Sequence, residues 1–162
     1  MMAIKPVQND SRIEKYRILA ATEKPIVIHY RFGDYVGNDS FGRPQESYYF
    51  ESLESISQTV TDMNIWVFSD DLAKAQIEFP AAYKSRVRWI EDLNDAVAAT
   101  FEVMRLGHAY VIANSTFSWW AAYLSHEQTT VVYVPKPWFR RMTDPVQMCP
   151  VTWKEIAANY KD

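Results

Sequence analysis

Glycine is scarce in this chain, with four among 162 residues. That excludes a G-x-G-x-x-G or G-x-x-x-x-G-K-[ST] phosphate loop, which needs several glycines in one turn so that the backbone can approach a phosphate. The single cysteine, Cys149, excludes an intrachain disulfide and a cysteine-based zinc site. No apolar run approaches the ~18 residues that span a bilayer, and the polar N-terminus is not that of a signal peptide. Nor is there a basic excess. Seventeen Lys and Arg stand against twenty Asp and Glu, a formal net charge of −3, and the signs are mixed along the chain. A nucleic-acid binder needs a basic stripe, so nucleic acid is not an expected partner. Ser-His-Asp order, H-E-x-x-H and kinase signatures are also missing. The expectation is a chain of the cytoplasm, or of the membrane periphery, without a membrane span.

What is present is apolar and aromatic. Hydrophobic residues make up 48%, including six Trp and ten Tyr, and 162 residues suffice for one proper core. Five short strand candidates alternate with helical patterns: Pro25 to Arg31, Asn64 to Ser69, Arg86 to Ile90, His108 to Ala113 and Thr129 to Val134. The second, fourth and fifth are near-continuous β-branched and aromatic runs, as strands buried on both faces are. Helical faces recur at Tyr49, Leu53, Ile56 and Val60; at Leu93, Val97, Phe101 and Met104; and at Phe117, Trp120, Ala121 and Leu124. This alternation predicts an α/β fold, a Rossmann-like parallel sheet with flanking helices. Residues 1–24 read as a linker followed by a helix over Ser11 to Ala20, and 25–162 as the domain. The C-terminal piece, with Trp138, Phe139 and Trp153 among four prolines, is expected to fold back over the sheet as a short helix.

Ligands of open α/β sheets bind outside the carboxyl ends of the strands. Four polar or aromatic clusters fall there. The first is His29, Arg31, Gly33 and Asp34. His29 and Arg31 share a strand face, and an Arg there suits bidentate contact with phosphate or carboxylate; the alternative is an Arg31–Asp34 ion pair closing the strand. The second is Ser69, Asp70 and Asp71, fit to take donors from a base or sugar or to cap the next helix. Adjacent carboxylates diverge, so no metal is expected. The third is Asn114, Ser115, Thr116 and Ser118, a polar turn opening a helix, either an ordinary cap or an anion site made by free N–H groups and the dipole. The fourth, Pro137, Trp138 and Phe139, reads as a packing plug or an aromatic lid. One Arg-based and one helix-based phosphate site together suggest a diphosphate ligand.

These stretches resemble a known family. His29-Tyr-Arg31-Phe-Gly33-Asp34-Tyr35 is similar to the H-x-R-R-G-D-Y motif of the α-1,2-fucosyltransferases, glycosyltransferase family 11. Phe68-Ser-Asp-Asp71 matches their F-S-D-D, and Ala113-Asn-Ser-Thr-Phe-Ser-Trp-Trp120 their A-N-S-[ST]-F-S-W-W. Trp138-Phe139 and Pro150-x-x-Trp153 fall in register. The resemblance runs from about residue 25 to the C-terminus and implies the donor-binding C-terminal domain of a two-domain GT-B enzyme. It implies transfer of L-fucose from GDP-fucose to a glycan hydroxyl, inverting and without a metal or other cofactor. Arg31 would then hold the β-phosphate, with His29 facing the nucleotide and Gly33, Asp70, Asp71, Asn114, Ser115, Thr116 and Ser118 around the donor. Asp34 and Asp39 are the candidate bases, the latter because Val36-Gly37-Asn38-Asp39 resembles the V-G-T-E stretch of α-1,6-fucosyltransferases. The partners implied are a nucleotide sugar and an oligosaccharide or polysaccharide acceptor. A truncated or degenerate donor-binding module without activity of its own, and a split half that needs a partner chain or a second copy, are the alternatives. Phe32 departs from the motif's second Arg. Thr100 departs from an acid often found four residues before the equivalent of Met104, with Glu102 nearby.

Overall fold

The computed structural model describes residues 10–35, 37–126 and 130–160, and of Asp34 only the backbone. Six strands form one parallel sheet in the order β3-β2-β1-β4-β5-β6. They are β1 Ile26–Tyr30, β2 Ile65–Ser69, β3 Val87–Trp89, β4 Ala109–Val111, β5 Val131–Lys136 and β6 Lys154–Ala157. The helices are α1 Ser11–Glu23, α2 Glu46–Ser57, α3 Leu72–Glu78, α4 Val97–Met104 and α5 Thr116–Tyr123. This is the doubly wound α/β arrangement, and its order reverses between β1 and β4.

Side chains alternate across each strand, and both faces are covered. Val27, Trp66, Phe68, Tyr110 and Val132 pack with α1, α4 and α5 residues such as Tyr16, Val103 and Ala121. Ile26, Ile28, Tyr30, Ile65 and Val67 pack on the other side with Tyr48, Tyr49 and Leu53 of α2. That two-sided burial is why β2, β4 and β5 read as apolar runs. The α2 tyrosines also serve the strand ends. The Tyr49 hydroxyl donates to the His29 carbonyl at 3.1 Å, and the Tyr48 hydroxyl lies 2.7 Å from the Ile112 carbonyl and 3.0 Å from that of Tyr133. A buried carbonyl beyond the ladder needs such a donor.

Three expectations are corrected. The C-terminal segment does not form a short helix: Lys154–Ala157 is a parallel edge strand paired with β5. Lys, Glu and Ala favour helix locally, and pairing with β5 overrides that preference. Leu93 precedes α4, and Val97 is exposed rather than in the core. Val60 lies beyond the end of α2 and is also exposed. Residue 129, the expected start of β5, lies outside the described residues. Helix α1 buries Ile13, Tyr16 and Ala20 against the sheet, with Asp10 capping its start by accepting from the Arg12 N–H at 2.9 Å.

Candidate functional site

A cleft of about 460 Å³ opens at the carboxyl ends of β1, β2 and β4. This is the switch point of the sheet, where ligands of such folds bind. His29, Arg31 and Tyr35 contribute from β1 and its following turn, and Phe68, Ser69 and Asp70 from β2. Asn94, Val97, Thr100 and Met104 line it from α4 and the turn before, and Ser115, Thr116 and Phe117 from the start of α5. Of the candidate residues, the cleft thus gathers His29, Arg31, Ser69, Asp70, Ser115 and Thr116.

Arg31 and Asp70 form its polar floor. The Arg31 guanidinium lies 3.1 Å from one Asp70 oxygen, and the Phe32 N–H donates to the other at 2.8 Å. Both side chains remain partly open to solvent. Asp70 therefore aims Arg31 without burying its charge. Gly33 makes this possible: a Cβ there would come within 2.7 Å of Asp70 Oδ2. The side chain of Asp34, the alternative partner of Arg31, is outside the described residues.

His29 is 5% exposed, and its Nδ1 has no partner among the described residues. Burial, and after it the positive charge of Arg31, push its imidazole down to about 3. It stands in the cleft as a neutral ring able to donate and accept.

The two helix starts at the cleft differ. Asp71 caps α3, accepting from the Lys74 N–H at 3.1 Å and pairing with the Lys74 ammonium at 2.9 Å. The backbone bond first, and then the ammonium, hold its carboxyl below its ordinary value. Asp71 does not line the cleft. Ser115, at the corresponding place on α5, makes no side-chain cap bond. The first-turn N–H groups of α5 have no intrahelical acceptor, and they sit beside the Ser115 and Thr116 hydroxyls at the cleft wall. Ser118 is buried, with its hydroxyl 3.2 Å from the Ser115 carbonyl, and belongs to the helix start itself.

Asn114 is also turned away. Its side-chain amide donates to the carbonyls of Phe41 and Gly42, both at 3.1 Å, and its backbone carbonyl accepts from the Tyr35 hydroxyl at 3.0 Å. It ties the loop after β1 to the end of β4. On that loop Asp39 pairs with Arg140 at 3.1 Å and Arg141 at 3.2 Å. Asp39 lines a smaller pocket of about 180 Å³, which shares Tyr35 with the main cleft. The aromatic motifs pack. Trp138 is buried with its N–H on Asp144, and Phe139 lies against Phe41. Trp119 donates to the Met148 carbonyl at 3.1 Å, while Trp120 is half exposed. Among the described residues no group of three or more His, Cys, Asp or Glu is placed to hold a metal ion, and no helix is long and apolar enough to cross a membrane.

The profile described as Glycosyl transferase family 11 matches residues 4–155. The chain belongs to glycosyltransferase family 11. It is 32% identical over 141 residues to an alpha-1,2-colitosyltransferase of Escherichia coli, covering 81% of this chain and 47% of that protein. It is 28% identical over 136 residues to the Escherichia coli O-antigen biosynthesis glycosyltransferase WbnK, covering 81% of this chain and 44% of that protein. The chain thus spans less than half the length of these curated relatives. No solved structure matches it significantly.

The departures from the family-11 motifs have physical accounts. Phe32 faces away from the cleft: it is 1% exposed in the second core, stacked on Tyr30, with the Arg43 guanidinium 4.6 Å over its ring. The missing second Arg therefore leaves Arg31 undisturbed. Thr100 lines the cleft with its hydroxyl 2.8 Å from the Leu93 carbonyl. Glu102 is buried and forked onto Arg105, both oxygens at 3.0 Å, away from the cleft. Motif reading did not point to Asn94 or Val97 as cleft residues. The spacing of 97, 100 and 104 carries a signal, since i, i+3 and i+7 share one helix face.

Proposed function

We propose that this chain is the donor-binding half of an inverting, metal-independent fucosyltransferase of the GT-B kind, which moves L-fucose from GDP-fucose to a glycan hydroxyl. The observation that carries this is the pairing, in one cleft, of a guanidinium aimed by Asp70 with an uncapped helix start at Ser115 and Thr116. One cation and one set of free N–H groups suit the two phosphates of a nucleoside diphosphate. The apolar walls at Phe68, Val97, Met104 and Phe117 suit a base or sugar face.

In this reading Arg31 contacts the β-phosphate. Charge grows on that phosphate as the glycosidic bond breaks, so a fixed guanidinium stabilises the transition state more than the ground state. The neutral His29 donates to or accepts from the nucleotide without adding charge. The acceptor hydroxyl loses its proton to a carboxylate. Asp34 lies beside the cleft in sequence. Asp39 serves only if an acceptor displaces Arg140 and Arg141 from its oxygens.

Calorimetric titration of GDP and GDP-fucose into the chain, with and without EDTA, tests the reading. Binding that is indifferent to EDTA is expected, and Arg31→Ala should weaken it ~10-fold or more, the roughly 1.5–3 kcal/mol of a charge-assisted hydrogen bond. A folded chain that binds neither ligand sinks it. The colitosyltransferase relative adds a second donor sugar to titrate, colitose in activated form. The chain's share of its relatives' length favours a second reading, in which it binds the donor and transfer needs a further unit. Fucose transfer by this chain alone would exclude that.

A further inference from the structure

The pocket of about 180 Å³ that shares Tyr35 with the donor cleft is held in shape from two sides. The Asn114 side chain holds the Phe41 and Gly42 carbonyls of its loop. From the other side, the backbone N–H groups of Arg140 and Arg141 donate to the carbonyls of Phe41 at 3.1 Å and Ser40 at 3.2 Å. Gly42 takes a left-handed backbone, φ 65°, and a Cβ there would come within 2.8 Å of Arg140 and 2.9 Å of Tyr160. Glycine thus lets both side chains close on the loop. A pocket ordered in advance costs little further ordering when a ligand enters. Its charges are already balanced, Arg43 on Glu78 at 2.9 Å and Arg140 on Asp39 at 3.1 Å. Its amides are not. Asn38 Oδ1 accepts the N–H groups of Ser40 at 3.0 Å and Phe41 at 3.4 Å, and its NH2 group has no hydrogen bond to a described residue. Gln45 is the converse: its NH2 group donates to the Arg43 carbonyl at 3.3 Å, and its Oε1 is left without a described partner. The Tyr35 hydroxyl is taken by the Asn114 carbonyl, and that of Tyr160 by the Pro137 and Trp138 carbonyls, so both residues offer the pocket their rings.

We propose that this pocket holds a neutral pyranose, a sugar unit of the acceptor glycan. The proposal rests on the donor-site reading above. Two aromatic rings supply apolar area for the C–H face of a sugar, while the open donor of Asn38 and the open acceptor of Gln45 suit its hydroxyls. An apolar body with a few placed polar groups is the usual make-up of a small-ligand site. Guanidiniums that already hold carboxylates do not draw an anion, because an acidic sugar would have to displace Asp39 or Glu78 where a neutral one displaces neither. The address fits an acceptor. The Arg31 guanidinium lies 6.0 Å from the centre of the Tyr35 ring, so a sugar beyond that ring stands beside the phosphate end of the donor. Asp39, one of the two candidate bases, lines the same pocket.

The test is saturation-transfer-difference NMR of the chain with the methyl glycosides of galactose, glucose, N-acetylglucosamine and glucuronic acid, each with and without GDP. Two variants keep the fold. Gln45→Ala removes the open acceptor, and no side-chain cap bond of α2 goes with it. Asn38→Asp keeps an acceptor for the Ser40 and Phe41 N–H groups and loses the open donor. At least one neutral glycoside should respond, and bind more tightly than the glucuronide. Each variant should weaken it about threefold to tenfold, the worth of one hydrogen bond. Calorimetry with the same variants should find GDP and GDP-fucose affinities unchanged. The proposal falls, and Arg31-dependent GDP binding stands, if no neutral glycoside responds, if the response is equal in both variants, or if the glucuronide binds most tightly. It falls likewise if the variants weaken GDP-fucose but not GDP, which would put the donor's own sugar in the pocket. If GDP does not bind at all, the donor site falls and the acceptor assignment falls with it.

Discussion

The starts of α3 and α5 look alike in sequence, Ser-Asp-Asp after β2 and Asn-Ser-Thr after β4, yet they do different work. At α3, Asp71 closes the helix on Lys74, and Asp70 is left to face Arg31. At α5, Asn114 reaches back to the loop at Phe41 and Gly42, Ser118 turns to the Ser115 carbonyl, and no side chain caps the first turn. A polar turn whose hydrogen bonds are satisfied internally is scaffold. One whose first-turn donors remain open at a cleft, opposite a guanidinium held by Asp70, is not closed on itself.

The comparison can be strained at three places. The largest effect is expected at His29, another group in the open region without an internal partner at Nδ1. Its folded imidazole stays neutral down to about 3, while in the unfolded chain it titrates near 6.5. Between those values the unfolded state binds the extra proton, so stability is flat above pH 6.5 and falls as the solution is acidified below it. The loss from this group should be roughly 2 kcal/mol at pH 5 relative to pH 7, at about 1.4 kcal/mol per pH unit. Denaturant titrations across pH 4 to 7 should show this slope in the wild type and a slope smaller by one proton in His29→Gln. Equal slopes would mean that the imidazole is not buried neutral. Next is Asp71→Ala, which removes a cap and should cost about 1 kcal/mol of stability while GDP affinity is unchanged; a matching loss of affinity would place Asp71 in the site. The smallest stability effect belongs to Ser115→Ala, within about 0.5 kcal/mol because no cap bond is lost. Its GDP affinity should nevertheless fall about threefold to tenfold, the worth of one hydrogen bond.

Much of this was legible from residue order, and the exceptions are physical. β2, β4 and β5 declare themselves because burial on both faces forces continuous apolar runs, and the strand-end rule then gathers His29, Arg31, Ser69, Asp70, Ser115 and Thr116 at one place. β6 is hidden because an exposed edge strand of Lys, Glu, Ile and Ala has no burial pattern, only a partner in β5. The α4 face misleads because Val97 is apolar yet faces the cleft and not the core. Asp39 reads as a solitary loop acid because its arginines lie 101 and 102 residues away.

The central claim is that a diphosphate sits between Arg31 and the open start of α5. The most direct measurement is the ³¹P NMR spectrum of GDP with the wild-type chain and with Arg31→Ala. The account predicts that the β-phosphorus line shifts and broadens with the wild type and returns towards its free position with the variant. Phosphorus lines that stay at their free positions beside a folded wild-type chain would contradict it.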